Sequence, residues 1–364
     1  MHPPSRTAVR SISPLAPWIF IAAVVAAFAA CFAYVGGWLA PDRLTPKRLV
    51  DQLQSNSGIF AGYRRNHAKG VCFTGFFEST GQGALYSTAQ VFAPGRTPVV
   101  GRLAIPGGNP YAPDSSVPIR SMALRFLLSN GQQWRTGMNS MPVFPVSTPQ
   151  AFYAMLQAQR PDPATRKPDP NRLATFFAAH PETAAFRAWA KTTKPSASFA
   201  SESYYSLDSF YFVNARGKRT AVRWRMTPEA SDAPANDVKR AASSDYLSAD
   251  LQRRLQQGPL RWHLWVTLAD SGDPINDPAI QWPSDRRTID AGTLVVQQTE
   301  PQESGACRDI NYDPLVLPQG IEASADPLLA ARSAAYATSY LRRTSEEAHL
   351  PGTAVAQVRT SQKE

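Results

Sequence analysis

Eight runs of alternating or continuous apolar residues follow one another between residues 70 and 298: "GVCFTGFFE", "ALYSTAQVF", "VVGRLAI", "MALRFLL", "SFYFVNA", "TAVRWRM", "RWHLWVTLA" and "GTLVVQQ". Segments of this length, rich in β-branched and aromatic residues, read as strands. The stretch "SFYFVNARGKRTAVRWRM" predicts a hairpin around Ala215, Arg216, Gly217 and Lys218, because a polar break containing glycine between two alternating runs specifies a tight reversal. Eight mostly antiparallel strands within about 230 residues predict a closed barrel, an arrangement that also removes exposed sheet edges.

Helical segments interrupt the strands. Thr45 to Phe60 reads as a short helix, "PQAFYAMLQAQ" follows "MPVFPVST", and "DPNRLATFFAAH" has Pro170 at a first helical position and stops before Pro181. "PETAAFRAWAK" continues the pattern, and "SSDYLSADLQRRLQQG" puts Leu247, Leu251 and Leu255 on one face before stopping at Gly258. No internal repeat is visible, which excludes solenoids and propellers.

Ahead of this body lies an uncharged run of 22 residues, Trp18 to Leu39, long enough to cross roughly 30 Å of hydrocarbon as a helix. Trp18 and Trp38 sit near its ends, as interfacial aromatics do. Arg6 and Arg10 precede it, whereas mixed charges, Asp42, Arg43 and Lys47, follow it. The positive-inside rule therefore expects residues 1–17 in the cytoplasm, an anchor over 18–39 and the bulk of the chain outside. A cleaved signal peptide competes, but the apolar run continues for eight residues beyond Cys31, which favours the anchor. Cys72 and Cys307 then face an oxidising compartment. They can form one bridge or remain two buried thiols, and the sequence does not decide between these; their number and spacing do not suit a zinc site.

The net charge of +10 comes from scattered arginines rather than one basic helix or motif, which argues against nucleic acid as a partner. The basic residues are better read as solvated surface with some specific anion contacts. Two places stand out. "RRNHAKG" sets a histidine, His67, at the start of a strand behind two arginines. "DPLLAARSAAYATSYLRR" opens a helix with Asp326 as cap and Pro327 in its first turn. On that helix Arg332, Tyr336 and Arg343 are spaced four and seven apart and share a face, with alanines around them small enough to admit a flat, bulky partner.

The fragments "RRNHAKG", "GMNSMPVF", "WPSDRRTIDAGTLVV", "YDPLVLPQGIEASADPLL" and "RSAAYATSYLRR", in that order from about residue 50 to residue 343, resemble the haem catalases, and more closely the short membrane-anchored bacterial catalase-related peroxidases. The resemblance implies an α+β chain. An eight-stranded antiparallel barrel with surrounding helices would form a haem domain over 45–345, followed by a flexible tail over 346–364. It implies haem b, with Tyr336 as the iron ligand, a ligation type known for catalase, and Arg332 supporting the phenolate. Arg64, Arg102 and Arg343 match positions that pair with the haem propionates, which guanidinium groups suit as bidentate donors. Phe144 and Phe152 match aromatic positions on the distal face, His67 the catalytic acid and base, and Asn139 the residue that holds peroxide.

Departures from the larger catalases bear on which reaction dominates. Ala104 stands where those enzymes usually carry a serine that orients the distal histidine, Asn66 replaces a bulky apolar residue, and Pro118 replaces an access-channel aspartate. A more open and polar pocket is expected, hence reduction of hydrogen peroxide or an organic hydroperoxide by an unidentified organic electron donor, with weak dismutation. A haem enzyme that rearranges lipid hydroperoxides is the alternative, and a haem carrier or sensor a further one. The resemblance and the anchor together place the chain in a bacterial inner membrane, single-pass, with the haem domain in the periplasm.

Overall fold

The computed structural model describes residues 15–40, 43–194, 196–229 and 243–349. The chain divides into two units, residues 1–45 and 46–364. The first contains helix α1 (Ala16–Val35), long and apolar enough to cross a membrane and without a buried residue. It stops short of the expected Leu39 because Gly36 and Gly37 follow, Gly37 with φ 83°, where glycine carries no steric penalty. Most of the expected cytoplasmic segment, with Arg6 and Arg10, lies outside the described residues.

The second unit is built on ten antiparallel strands: β1 (Gly70–Ser79), β2 (Gly95–Ala104), β3 (Ser121–Leu127), β4 (Gln133–Asn139), β5 (Tyr204–Tyr205), β6 (Phe210–Val213), β7 (Arg219–Pro228), β8 (Leu260–Leu268), β9 (Thr288–Pro301) and β10 (Ile321–Ala323). Pairing runs β1–β2–β3–β4–β5–β7–β8–β9 and back to β1, a closed ring of eight, while β6 and β10 extend one side of β7. The hairpin between β6 and β7 turns where expected, with the Gly217 N–H donating to the Asn214 carbonyl.

The count of eight is right, but two members differ. Residues 84–92 form no strand: they fold as two tight turns, Gln82–Leu85 and Gln90–Phe92. Ser87 drives this locally, its hydroxyl donating to the Gly320 carbonyl and accepting the Ala89 N–H, bonds that compete with a ladder. The place of that run is taken by β4, whose "QWRTGMN" falls outside the eight apolar runs. The two-residue β5 joins β4 to β7 in the ring, while "FYFV" lies beside β7 as β6.

Alternation sorts the strands into two faces. Leu103, Met122, Leu124, Phe126, Trp134 and Met138 belong to the barrel's packed core with residues from every long strand. The opposite face of β2, β3 and β4 carries Arg102, Ala104, Ser121, Ala123, Gly137 and Asn139. Helices α2 (Pro46–Ser57), α3 (Pro149–Ala158), α4 (Pro170–Ala179), α5 (Ala184–Thr192), α6 (Tyr246–Gln257) and α7 (Pro327–His349) complete the unit. Asp326 caps α7 by accepting the Leu328 N–H at 2.9 Å, as expected. The helix continues past residue 345 to His349, because Glu346 pairs with Arg65 and Glu347 with Arg308. Residues 350–364 of the expected tail lie outside the described residues.

Cys72 on β1 and Cys307 after β9 form a disulfide, with a Cα separation of 5.3 Å across 235 residues of sequence. Both are fully buried.

Candidate active site

A cavity of about 190 Å³ lies between the outward face of β2–β4 and the helices α2, α3 and α7. His67, Asn139, Arg64, Arg102, Phe144, Phe152, Arg332, Tyr336 and Arg343 all line it. Helical spacing explains the contribution of α7: Leu328, Arg332, Ala335, Tyr336, Ser339 and Arg343 repeat at three to four residues and so share its cavity face. Strand pairing explains Arg102 and Asn139, which alternate with core residues on β2 and β4.

At the α7 wall, one Arg332 nitrogen donates to the Tyr336 hydroxyl at 3.3 Å and to the Gly137 carbonyl at 3.2 Å, and its other terminal nitrogen is paired with Asp208. Burial works against the charge on Arg332, but Asp208 and Tyr336 more than offset it and raise the pKa. A side chain at Gly137 would crowd the guanidinium: an added Cβ would sit 3.2 Å from it. Asp208 escaped sequence reasoning. Its signal was an aspartate set directly against the apolar run "SFYFV", since buried carboxylates need a partner. Beyond capping α7, Asp326 stands against Asp208, and burial together with that neighbour pushes its carboxyl up to about 7.

At a second wall, Arg64 donates to the carbonyls of Cys307, Arg308 and Ile310 at 3.0 to 3.1 Å. Arg343 donates to the Arg308 carbonyl, and Arg102 to Ala68 and Gln302. None of the three forms an ion pair among the described residues. Burial, then repulsion from Arg102 and Arg343, holds the Arg64 pKa well below its ordinary value, and burial lowers Arg102 to about 10. Three clustered cations that repel one another, Arg102 and Arg343 buried and Arg64 half-buried, call for anionic company. A flat cofactor with two carboxylates supplies it, so these residues fit haem.

His67 has φ 54°, a left-handed backbone uncommon outside glycine, which is a frequent mark of functional positions. Its Nδ1 is buried without a hydrogen-bond partner. Burial first, then Arg102, Arg332 and Arg64, depress its pKa to about 3, so it is a neutral imidazole at ordinary pH. Asn139 accepts a hydrogen bond from the Ser121 hydroxyl at 2.6 Å. Phe144 and Phe152 stand with ring centroids 5.5 Å apart. The arrangement combines a neutral proton acceptor, an amide donor, a phenol tied to a guanidinium and a cationic wall.

The family model for catalase matches residues 43–362. The chain is 38% identical over 328 residues to the catalase-related peroxidase of Synechococcus elongatus, covering 90% of this chain and 96% of that one. It is 30% identical over 304 residues to the catalase-related peroxidase of Mycolicibacterium paratuberculosis, covering 83% and 95%. A solved bacterial catalase matches the fold with a TM-score of 0.69 at 24% identity, over 78% of this chain and 58% of that one. Catalase A from Saccharomyces cerevisiae matches at 0.69 and 22%, over 78% and 62%. The chain thus spans less than two thirds of those two structures. By the extent of the family match and the two relatives aligned over nearly their whole length, the chain belongs to the catalase family.

Proposed function

We propose that this chain is a haem b peroxidase that reduces hydrogen peroxide or an organic hydroperoxide with an organic electron donor, and that dismutes peroxide weakly. As a member of the catalase family it is an oxidoreductase acting on peroxide. The observation that carries the finer reading is the convergence of His67, Asn139, Tyr336 and the Arg64–Arg102–Arg343 cluster, which forms no ion pair among the described residues, on one cavity.

Tyr336 would ligate the iron through its phenolate oxygen, and Arg64, Arg102 and Arg343 would take the propionates. Bound haem supplies a redox-active metal that holds peroxide and stores the oxidising equivalents passed to the donor. The Arg332 guanidinium, held in place by Asp208, stabilises negative charge on the Tyr336 oxygen. His67, neutral in its pocket, would take the proton from one peroxide oxygen and return it to the other, making the latter a leaving group. The amide N–H of Asn139 donates to the peroxide and holds it within reach of His67. Phe144 and Phe152 keep bulk water from that side. Ala104 leaves His67 without a hydroxyl partner, which supports weak dismutation beside donor oxidation.

Helix α1 supports a single-pass anchor in a bacterial inner membrane, with the haem domain in the periplasm, where the Cys72–Cys307 disulfide is chemically at home. The deciding experiment takes absorption spectra of the full-length protein and Tyr336→Phe in detergent, then mixes each with peroxide, with and without an organic donor. A high-spin ferric haem spectrum that collapses in the variant, with peroxide-dependent donor oxidation in the parent, is expected. Absence of haem, a spectrum indifferent to Tyr336, or dismutation far faster than donor oxidation would refute the reading.

A further inference from the structure

Ala104 on β2, Ser121 on β3 and Asn139 on β4 are register partners, so their side chains stand in one row across the cavity wall. The row carries a single hydroxyl. Its oxygen lies 2.6 Å from Asn139 Oδ1, and because a carboxamide oxygen has no hydrogen, Ser121 is the donor. The contact fixes which end of the amide faces the wall. The Asn139 amide nitrogen makes no hydrogen bond among the described residues, so both of its N–H groups remain for a ligand in the cavity that Asn139 lines.

His67 presents the opposite situation. Its Nδ1 is buried and unpartnered, and the neighbouring place in the row, Ala104, has only a methyl group. Among the described residues, His67 is held instead by its backbone N–H, which donates to Asn66 Oδ1. The single hydroxyl of the row is therefore directed at the amide and not at the imidazole.

We propose that Ser121 is a positioning residue for the peroxidase reaction: it locks the Asn139 carboxamide so that its N–H donors, not its oxygen, meet the peroxide. The inference rests on the peroxidase reading given above. Rotation about the terminal torsion of asparagine is roughly two-fold, so an amide without this contact also populates the reversed orientation. Reversal takes the N–H donors away from the peroxide oxygen and puts an acceptor in their place.

The test measures equilibrium cyanide affinity by absorption, in the haem-loaded full-length protein, for the parent, Ser121→Ala, Ser121→Thr, Asn139→Ala and the Ser121→Ala/Asn139→Ala pair. Cyanide binds where peroxide does and accepts a hydrogen bond without being turned over. Affinity is expected to fall about tenfold in Ser121→Ala, the weight of about one hydrogen bond, and to stay within about twofold of the parent in Ser121→Thr, which keeps the hydroxyl. The double variant is expected to lose no more than Asn139→Ala alone, since residues acting through one contact are not additive. The kcat/KM for peroxide should follow the same order, with the KM for the organic donor unmoved. Unchanged cyanide affinity in Ser121→Ala, or losses that add in the double variant, would overturn the proposal while leaving the peroxidase reading intact. A parent that takes up no haem would overturn that reading and this inference with it.

Discussion

The side-chain oxygen of Asn66 accepts the backbone N–H of His67 at 2.9 Å and that of Gly107 at 2.8 Å. It thereby clamps the left-handed His67 to the segment that follows β2. In place of a bulky apolar group at position 66, the chain has a side chain that holds the histidine by its backbone. Asn66→Ala removes both bonds and frees a strained residue, so a stability loss of about 1–3 kcal/mol is expected. A fall of about tenfold or more in donor-oxidation rate should accompany it, because a displaced base loses its alignment. Denaturant unfolding and steady-state rates, with haem content unchanged, check this.

His67 also sets a pH signature. A free imidazole titrates near 6.5, whereas burial and the surrounding arginines hold this one at about 3. The base stays neutral as the solution is acidified, so the rate should show no fall through about pH 6.5. The unfolded chain binds more protons than the folded one between the two values, so this group lowers stability as pH falls through that window. His67→Gln should therefore gain stability relative to the parent below about pH 6.5. Denaturation of both proteins at a series of pH values is the measurement, and a constant difference would refute the assignment.

The hairpin, the capped last helix and the cavity-lining residues at the start of β1 and on α7 are legible in the sequence because each depends on neighbours along the chain. Strand β4 is hidden for a physical reason: Trp134, Thr136 and Met138 face the core, but Gln133, Arg135, Gly137 and Asn139 face outward, so the run lacks the apolar density of its neighbours. The stretch 84–92 has that density without the ladder. Asp208 lies 124 residues before the arginine it holds, a partnership made by the fold and not by spacing. Ser121 meets Asn139 only through the register of β3 on β4.

The disulfide bears on the site as well as on the fold. Cys72 is the register partner of Arg102, and the carbonyls of Cys307 and its neighbours Arg308 and Ile310 hold Arg64. Replacing both cysteines by alanine is expected to cost about 2–5 kcal/mol, chiefly through the freed unfolded chain. Because the loop that presents those carbonyls is no longer tied to β1, haem should also be lost faster. Transfer of haem to an excess of a second haem-binding protein, followed by absorption, measures that rate.

The two buried carboxylates behind Tyr336 should respond differently to the same change. Asp208 is paired with Arg332, whereas Asp326 has one oxygen on the Leu328 N–H and stands against the Asp208 carboxyl. With its carboxyl pushed up to about 7, the folded protein binds a proton there that the unfolded chain releases near its ordinary value of 3.8. Stability contributed by this proton is therefore lost as pH rises from about 4 to about 7. Asp326→Asn keeps the cap and removes the titration, so it should equal the parent near pH 4, gain on it up to about pH 7, and hold that gain above. Asp208→Asn instead leaves the half-buried Arg332 without its counter-charge, at a cost of about 1–3 kcal/mol. It should also withdraw the support that Arg332 gives the Tyr336 oxygen, shifting the haem absorption spectrum. If the two variants proved equal in stability at neutral pH, the division of one charged and one protonated carboxyl behind Tyr336 would be wrong.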